Sequence, residues 1–151
     1  MIRRLAATVA EGTHPPGVYR WRAKAHPAAL RRDLTAAGWS LHVLDGAALT
    51  TPEQVFDAFA GRLAFPAWFG RRWDALADCL TDLSWLPGRG HVLLWDRYAV
   101  LALADEKAWR QAYRVCADAI AERRRTGAPP LYVLLRGPAP ILSDPPLPYL
   151  H

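Results

Sequence analysis

The sequence predicts an α/β domain with a mainly parallel sheet flanked by helices, and three observations carry that prediction. Two runs, His91-Val92-Leu93-Leu94-Trp95 and Leu131-Tyr132-Val133-Leu134-Leu135, are almost continuously apolar, as strands covered on both faces must be. Segments with helical periodicity and capping signals separate the candidate strands, which is the pattern of crossover-linked parallel strands. The length of 151 residues with 52% hydrophobic residues suffices for one proper core and is too short for two comfortable ones. Residues 1–151 are therefore expected to form a single domain.

Residues 18–22 alternate like a strand. Pro27 opens a helical segment that Gly38 stops. Residues 40–44 read as a strand, and Asp45-Gly46 as the turn after it. In Thr51-Pro52-Glu53-Gln54, Thr51 suits the cap, Pro52 the first turn and Gln54 the reciprocal position of a capping box. The helix that follows is expected to bury Val55, Phe56, Phe59 and Leu63. Phe65-Pro66-Ala67-Trp68-Phe69-Gly70 breaks it, and a second helix spans about 71–84. Pro87-Gly88-Arg89-Gly90 is a loop before the first apolar run. Asp105 suits the cap of a long helix through Arg125, with Trp109, Ala112, Tyr113, Cys116 and Ile120 inward. The segment 138–151, with Pro138, Pro140, Pro145, Pro146 and Pro148, reads as an extended tail over the surface.

The two cysteines, Cys79 and Cys116, form no CxxC pair and suggest buried free thiols in a reducing compartment. The apolar run after Arg3-Arg4 is short for a signal peptide and ends at Glu11. No stretch approaches the roughly 20 apolar residues of a membrane span. These readings give a soluble, cytoplasmic protein. The net charge is +5, and 17 of the 19 basic residues are Arg. Their scatter argues against a nucleic-acid footprint, and the one dense run, Arg123-Arg124-Arg125, falls where cations suit a helix C-terminus.

The informative segment is Arg71-Arg72-Trp73-Asp74-Ala75-Leu76-Ala77-Asp78-Cys79-Leu80-Thr81-Asp82-Leu83. At about 100° per residue, Trp73, Leu76, Leu80 and Leu83 share the core side, and Asp74, Asp78 and Asp82 form a stripe opposite. Like charges at this spacing cost a few tenths of a kcal/mol per pair, and Asp82 meets the unfavourable end of the helix dipole. Helix stability does not account for the stripe. Between positions 53 and 85 there are five acids and three bases, so the acidity is local within a basic chain. Trp68 and Phe69 precede the helix where a surface loop is ordinarily polar, and Gly70 permits an unusual turn or a close approach by a partner. An aromatic anchor beside a charged stripe is a recurrent design of tight interfaces.

These residues resemble the barstar-like family of ribonuclease inhibitors. The resemblance is carried by Leu44-Asp45-Gly46, by Phe65-Pro66-Ala67-Trp68-Phe69-Gly70 and by Trp73-Asp74-Ala75-Leu76-Ala77-Asp78-Cys79-Leu80-Thr81. The two apolar runs fit the family's later strands. It covers about residues 41–137, leaving 1–40 as an N-terminal extension that adds a strand and a helix. The resemblance implies a small parallel sheet flanked by helices. It also implies an inhibitor of antitoxin or immunity type that binds a secreted or toxin-type ribonuclease one to one. In that reading the acidic helix and the loop before it enter the enzyme's active site. The implied contact residues are Trp68, Phe69, Gly70, Asp74 and Asp78, with Asp78 at the family's central carboxylate, which occupies a phosphate site. Arg72, Trp73, Ala77 and Asp82 complete the candidate partner-binding set. The chain departs from the family in carrying Arg72 where Asn is frequent, Ala77 where a mid-helix Trp occurs and Asp82 in place of a glycine. The family's second acidic group has no clear counterpart, because Asp118 stands among Arg110, Arg114 and Arg123. No catalytic residue, metal or cofactor is implied.

Two rival classes are weighed. An enzyme could use the three aspartates for a hard cation or His91 as a general base, but carboxylates at i, i+4 on one helix diverge. No Gly-rich phosphate loop, nucleophile elbow or HExxH is present. A nucleic-acid-binding or regulatory protein could use the Arg excess and exposed aromatics, yet those aromatics lie beside an acidic stripe that repels phosphate.

Overall fold

The structure, a computed structural model, describes residues 2–138 and 149–150, with the side chains of 5–138. The elements run α1 (Ile2–Glu11), β1 (Val18–Trp21), α2 (Pro27–Ala36), β2 (Ser40–Asp45), a 3-10 turn (Gly46–Ala48), α3 (Pro52–Arg62), α4 (Trp73–Asp82), β3 (His91–Asp96), α5 (Ala99–Ala104), α6 (Glu106–Thr126), β4 (Leu131–Arg136) and β5 (Tyr149–Leu150). The α/β class holds: one sheet of order β2-β3-β4-β1-β5, with every pairing parallel.

The continuous apolar runs have the predicted cause. Successive side chains of a strand point to opposite faces, and both faces are covered. Leu93, Trp95, Val133 and Leu135 enter a core with α3, α4, α5 and α6. Val92, Leu94, Tyr132 and Leu134 enter a second core with Leu5 and Val9 of α1 and Leu30 and Leu34 of α2. The N-terminal residues thus supply the second face of the sheet, and β1 sits beside β4 in register Val18 to Val133.

Local capping follows the sequence. Thr51 Oγ1 accepts from the Gln54 N–H at 3.3 Å and Gln54 Oε1 accepts from the Thr51 N–H at 3.2 Å. Asp105 Oδ1 accepts from the Ala108 N–H at 3.0 Å, and Gly38, at φ +82°, stops α2.

Several boundaries differ from expectation. Residues 2–11, read only against a signal peptide, form α1, whose Leu5, Ala6 and Val9 are buried. Residues 99–104 form α5, which the run Ala99-Val100-Leu101-Ala102 did not announce because it is too short for a periodic signal. Asp45 belongs to β2, and its Oδ1 caps the 3-10 turn by accepting from the Ala47 N–H at 3.0 Å. Helix α4 begins at Trp73 and ends at Asp82, two residues inside each expected end. Of the proline-rich stretch, 139–148 and 151 lie outside the described residues, and Tyr149–Leu150 pairs with β1 as β5. Among the described residues no helix is long and apolar enough to cross a membrane.

Candidate functional site

The loop between α3 and α4 is held by a cluster of rings. Phe56 meets Trp73 edge-on at 4.8 Å and Phe69 at 6.3 Å, and Phe65 meets Phe69 at 5.0 Å and Trp85 at 6.0 Å. Trp85 Nε1 donates to the Leu63 carbonyl at 2.8 Å. Phe65, Phe69 and Trp73 are thus partly buried props against the core. Trp68 alone stands out from this base, 67% exposed. Leaving an indole in water forfeits the transfer energy of a large apolar surface, so Trp68 is a chemical feature of the surface and not of the core.

The unusual backbone that Gly70 would permit lies one residue on. Gly70 is exposed with ordinary backbone, and a Cβ there meets Ala75 Cβ at a comfortable 3.6 Å. Arg71 takes the left-handed conformation, φ 50°, which costs a non-glycine residue about 1 kcal/mol. It is held there by a two-pronged pair with α3: Nε to Asp57 Oδ1 at 3.0 Å and Nη2 to Asp57 Oδ2 at 3.2 Å.

On α4, Leu76, Cys79 and Leu80 are buried and Asp74, Asp78 and Asp82 are exposed, so the two faces divide as the periodicity predicts. The three carboxylates are not equivalent. Asp74 Oδ1 accepts from the Ala75 N–H at 2.9 Å and from Arg72 Nε at 3.1 Å; that backbone bond first, and Arg72 next, hold its carboxyl below the ordinary range. Asp82 Oδ1 accepts from the Ser84 N–H at 3.3 Å. Asp78 accepts from no described residue. With Asp57 and Asp74 each matched to an arginine, the net local acidity concentrates on Asp78 and Asp82. Arg72 is exposed and gives α4 no side-chain cap, and Ala77 lies half-buried between Asp74 and Asp78 on the helix surface.

The match that decides the family spans residues 39–135, described as Barstar (barnase inhibitor). The chain belongs to the barstar family. The matched segment contains the aromatic loop and all of α4, and it begins just after α2, so α1, β1 and α2 precede it. No curated protein matches the chain at significant similarity. Among solved structures, the chain is similar to the Aeropyrum pernix ORC2 protein, in its ADPNP–ADP complexes, with a TM-score of 0.61 over 90% of this chain at 10% identity. The chain spans 39% of that protein's length. At this identity the likeness is one of fold alone.

Two residues change standing in this barstar-family fold. Arg123, in the last turn of α6 where cations suit the dipole, is 1% exposed. Its Nη1 donates to the Thr81 and Asp82 carbonyls at 3.0 and 2.9 Å, and its Nε and Nη2 donate to the Pro129 carbonyl at 3.0 and 2.6 Å. The C-terminus of α4 would otherwise leave the Thr81 and Asp82 carbonyls without partners. The sequence signal was present but ambiguous, since periodicity places Arg123 in line with Cys116 and Ile120. His91, weighed as a general base or a surface histidine, is also 1% exposed. Its ring lies 5.6 Å from that of His42. Burial first, then His42 and Arg123, push its pKa down to about 4. Nor do the three aspartates converge: among the described residues no group of three or more His, Cys, Asp or Glu is placed to hold a metal ion.

Proposed function

We propose that the chain is a proteinaceous inhibitor, of antitoxin or immunity type, that blocks a secreted or toxin-type ribonuclease one to one with α4 and the loop before it. The observation that carries this reading is Asp78: an exposed carboxylate in mid-helix that no described residue satisfies, beside Asp57 and Asp74, which are matched to arginines, and Asp82, which accepts from a backbone N–H. Membership of the barstar family supports a protein partner of this kind.

A ribonuclease active site is cationic because it binds phosphate. A carboxylate accepts the same charge-assisted bonds from Arg, Lys or His that a phosphate oxygen does. Asp78 would occupy such a site with little reorganisation, because α4 is fixed on its inner face by Leu76 and Leu80 and at its end by Arg123. Trp68 would supply the apolar anchor at low entropic cost, since its base of Phe65, Phe69 and Trp73 is already packed. Arg72, flanking Asp74, would favour a partner with a carboxylate or carbonyl at the rim.

The alternative of nucleic-acid binding draws on the arginine excess. The structure weakens it: Arg71, Arg72, Arg110, Arg125 and Arg136 are paired with carboxylates, and Arg123 is buried.

The test is RNA hydrolysis by a small guanyl-specific microbial ribonuclease with increasing amounts of the purified chain. A linear fall to zero at one equivalent supports the reading. Undiminished hydrolysis at excess chain removes that class of enzyme as the target.

A further inference from the structure

The sheet order places a crevice where parallel α/β sheets hold ligands. From the C-terminal end of β1 the chain crosses by α2 to β2 at one edge; from the C-terminal end of the neighbouring β4 it proceeds to β5 on the other side of β1. Connections leaving adjacent strands in opposite directions open a crevice outside their carboxyl ends, the usual ligand position of open parallel sheets. Here a cavity of about 410 Å³ lies at that point, lined by Arg20, Trp21, Arg22, Lys24, Arg136 and Gly137 among others. Its size falls in the small-molecule range.

The lining is cationic. Four of the described lining side chains are basic and none is acidic, and one of the four, Arg136, is already paired with Asp96. Arg136 is fixed in place: Nε and Nη2 donate to Asp96 Oδ1 and Oδ2 at 2.9 and 2.8 Å, Nη1 donates to the Ala23 and Ala25 carbonyls at 3.2 and 2.7 Å, and the guanidinium lies 5.4 Å from the Trp21 ring centroid. That network ties the strand ends to the segment 22–25, which carries Arg22 and Lys24. Both are exposed, and Lys24 has no ion pair or hydrogen bond with a described residue. A fixed wall and converging cations in a concave site focus attraction on an anion. The geometry points to an oxyanion site at this crevice that takes a small phosphorylated ligand. The site is built from the end of β1, the segment after it and the end of β4, and does not depend on the ribonuclease reading. Trp21 is buried under Arg136 and offers no face for stacking a base, so a compact phosphate fits better than a nucleic-acid strand.

The experiment is calorimetric titration of the full chain with inorganic pyrophosphate. It is repeated with Arg22→Gln/Lys24→Gln and, as a control for diffuse charge, with Lys107→Gln/Arg110→Gln on the exposed side of α6. The expected result is one-to-one binding that weakens at least about tenfold, roughly 1.4 kcal/mol, in the first variant and is unchanged in the control. Circular dichroism and melting temperature without ligand are expected to match wild type in both. Absence of binding by wild type, or equal loss in the two variants, overturns the site. A single-stranded oligonucleotide that binds more tightly than pyrophosphate overturns the small-ligand assignment.

Discussion

Arg123 Nη1 donates to the main-chain carbonyl of Asp82 at 2.9 Å, so a side chain of α6 caps the helix that carries the acidic stripe. The relationship reconciles a local conflict. Asp82 places a negative charge at the negative end of α4, and Leu83, in the left-handed conformation at φ 48°, stands where glycine is the usual residue. The buried guanidinium answers the first: it bonds the last carbonyls, and although burial disfavours its charge, the Asp82 carboxylate favours it.

Removing the guanidinium takes the donor from the part-buried Thr81, Asp82 and Pro129 carbonyls and empties an enclosed site. Arg123→Met is expected to destabilise the fold by about 2–5 kcal/mol, read as a lower urea midpoint with an unchanged m-value. Arg123→Lys should recover only part of this, since one ammonium cannot reach carbonyls on both sides. A methionine variant as stable as wild type would show that the cap contributes nothing net.

His91 sets an acid limit. Its folded pKa of about 4 lies below the ordinary histidine value of 6.5, because burial excludes the charged ring. Above pH 6.5 both states are neutral and His91 contributes no pH dependence. As the pH falls through the window from 6.5 to about 4, the unfolded chain takes a proton that the native one refuses, and stability drops by about 3 kcal/mol in total. His42 shifts in the same direction, chiefly through burial. Urea midpoints at the two ends of this window should differ in wild type and differ less in His91→Leu. Equal slopes would contradict the assignment.

Trp68 and Phe69, neighbours in the chain, are predicted to separate by role. Trp68→Ala should change stability by no more than about 0.5 kcal/mol and weaken the complex with the ribonuclease. Phe69→Ala should cost about 1–3 kcal/mol of stability because it removes a prop of the ring cluster. Thermal melts of the two variants decide it; comparable losses would place Trp68 in the core.

Cys116 is pushed up to about 12 by burial, and Cys79 is raised by burial and by the nearby Asp78 and Asp82 carboxylates. Both thiols should resist a disulfide-exchange reagent in the native state and react on unfolding. Rapid native reaction of either thiol would contradict its burial.

What was legible in the sequence follows from how local each signal is. The capping box at Thr51 and Gln54, the cap at Asp105 and the two-faced pattern of α4 involve residues a few positions apart, and each formed as read. The apolar strands reported that both faces are covered but not what covers them. The second face is closed by α1 and α2, a relationship across the whole chain that no window of sequence contains. The enclosure of Arg123 and His91 escapes the sequence for the same reason. An arginine at a helix end and a histidine at a strand start are ordinarily solvated, and only tertiary packing shows that these two are enclosed. At the site, the sequence placed Asp74, Asp78 and Asp82 on one face, but only the structure distinguishes Asp78 from the acids that have donors. It also moved the strained backbone from Gly70 to Arg71.

The proposed contact of Asp78 with a ribonuclease is open to direct measurement. Calorimetric titration of the chain and of Asp78→Ala against a guanyl-specific microbial ribonuclease tests it most directly. Tight one-to-one binding by wild type is expected, with a loss of at least about 2 kcal/mol in the variant and identical melting of the two free proteins. Equal affinity of the two proteins for the enzyme would contradict it.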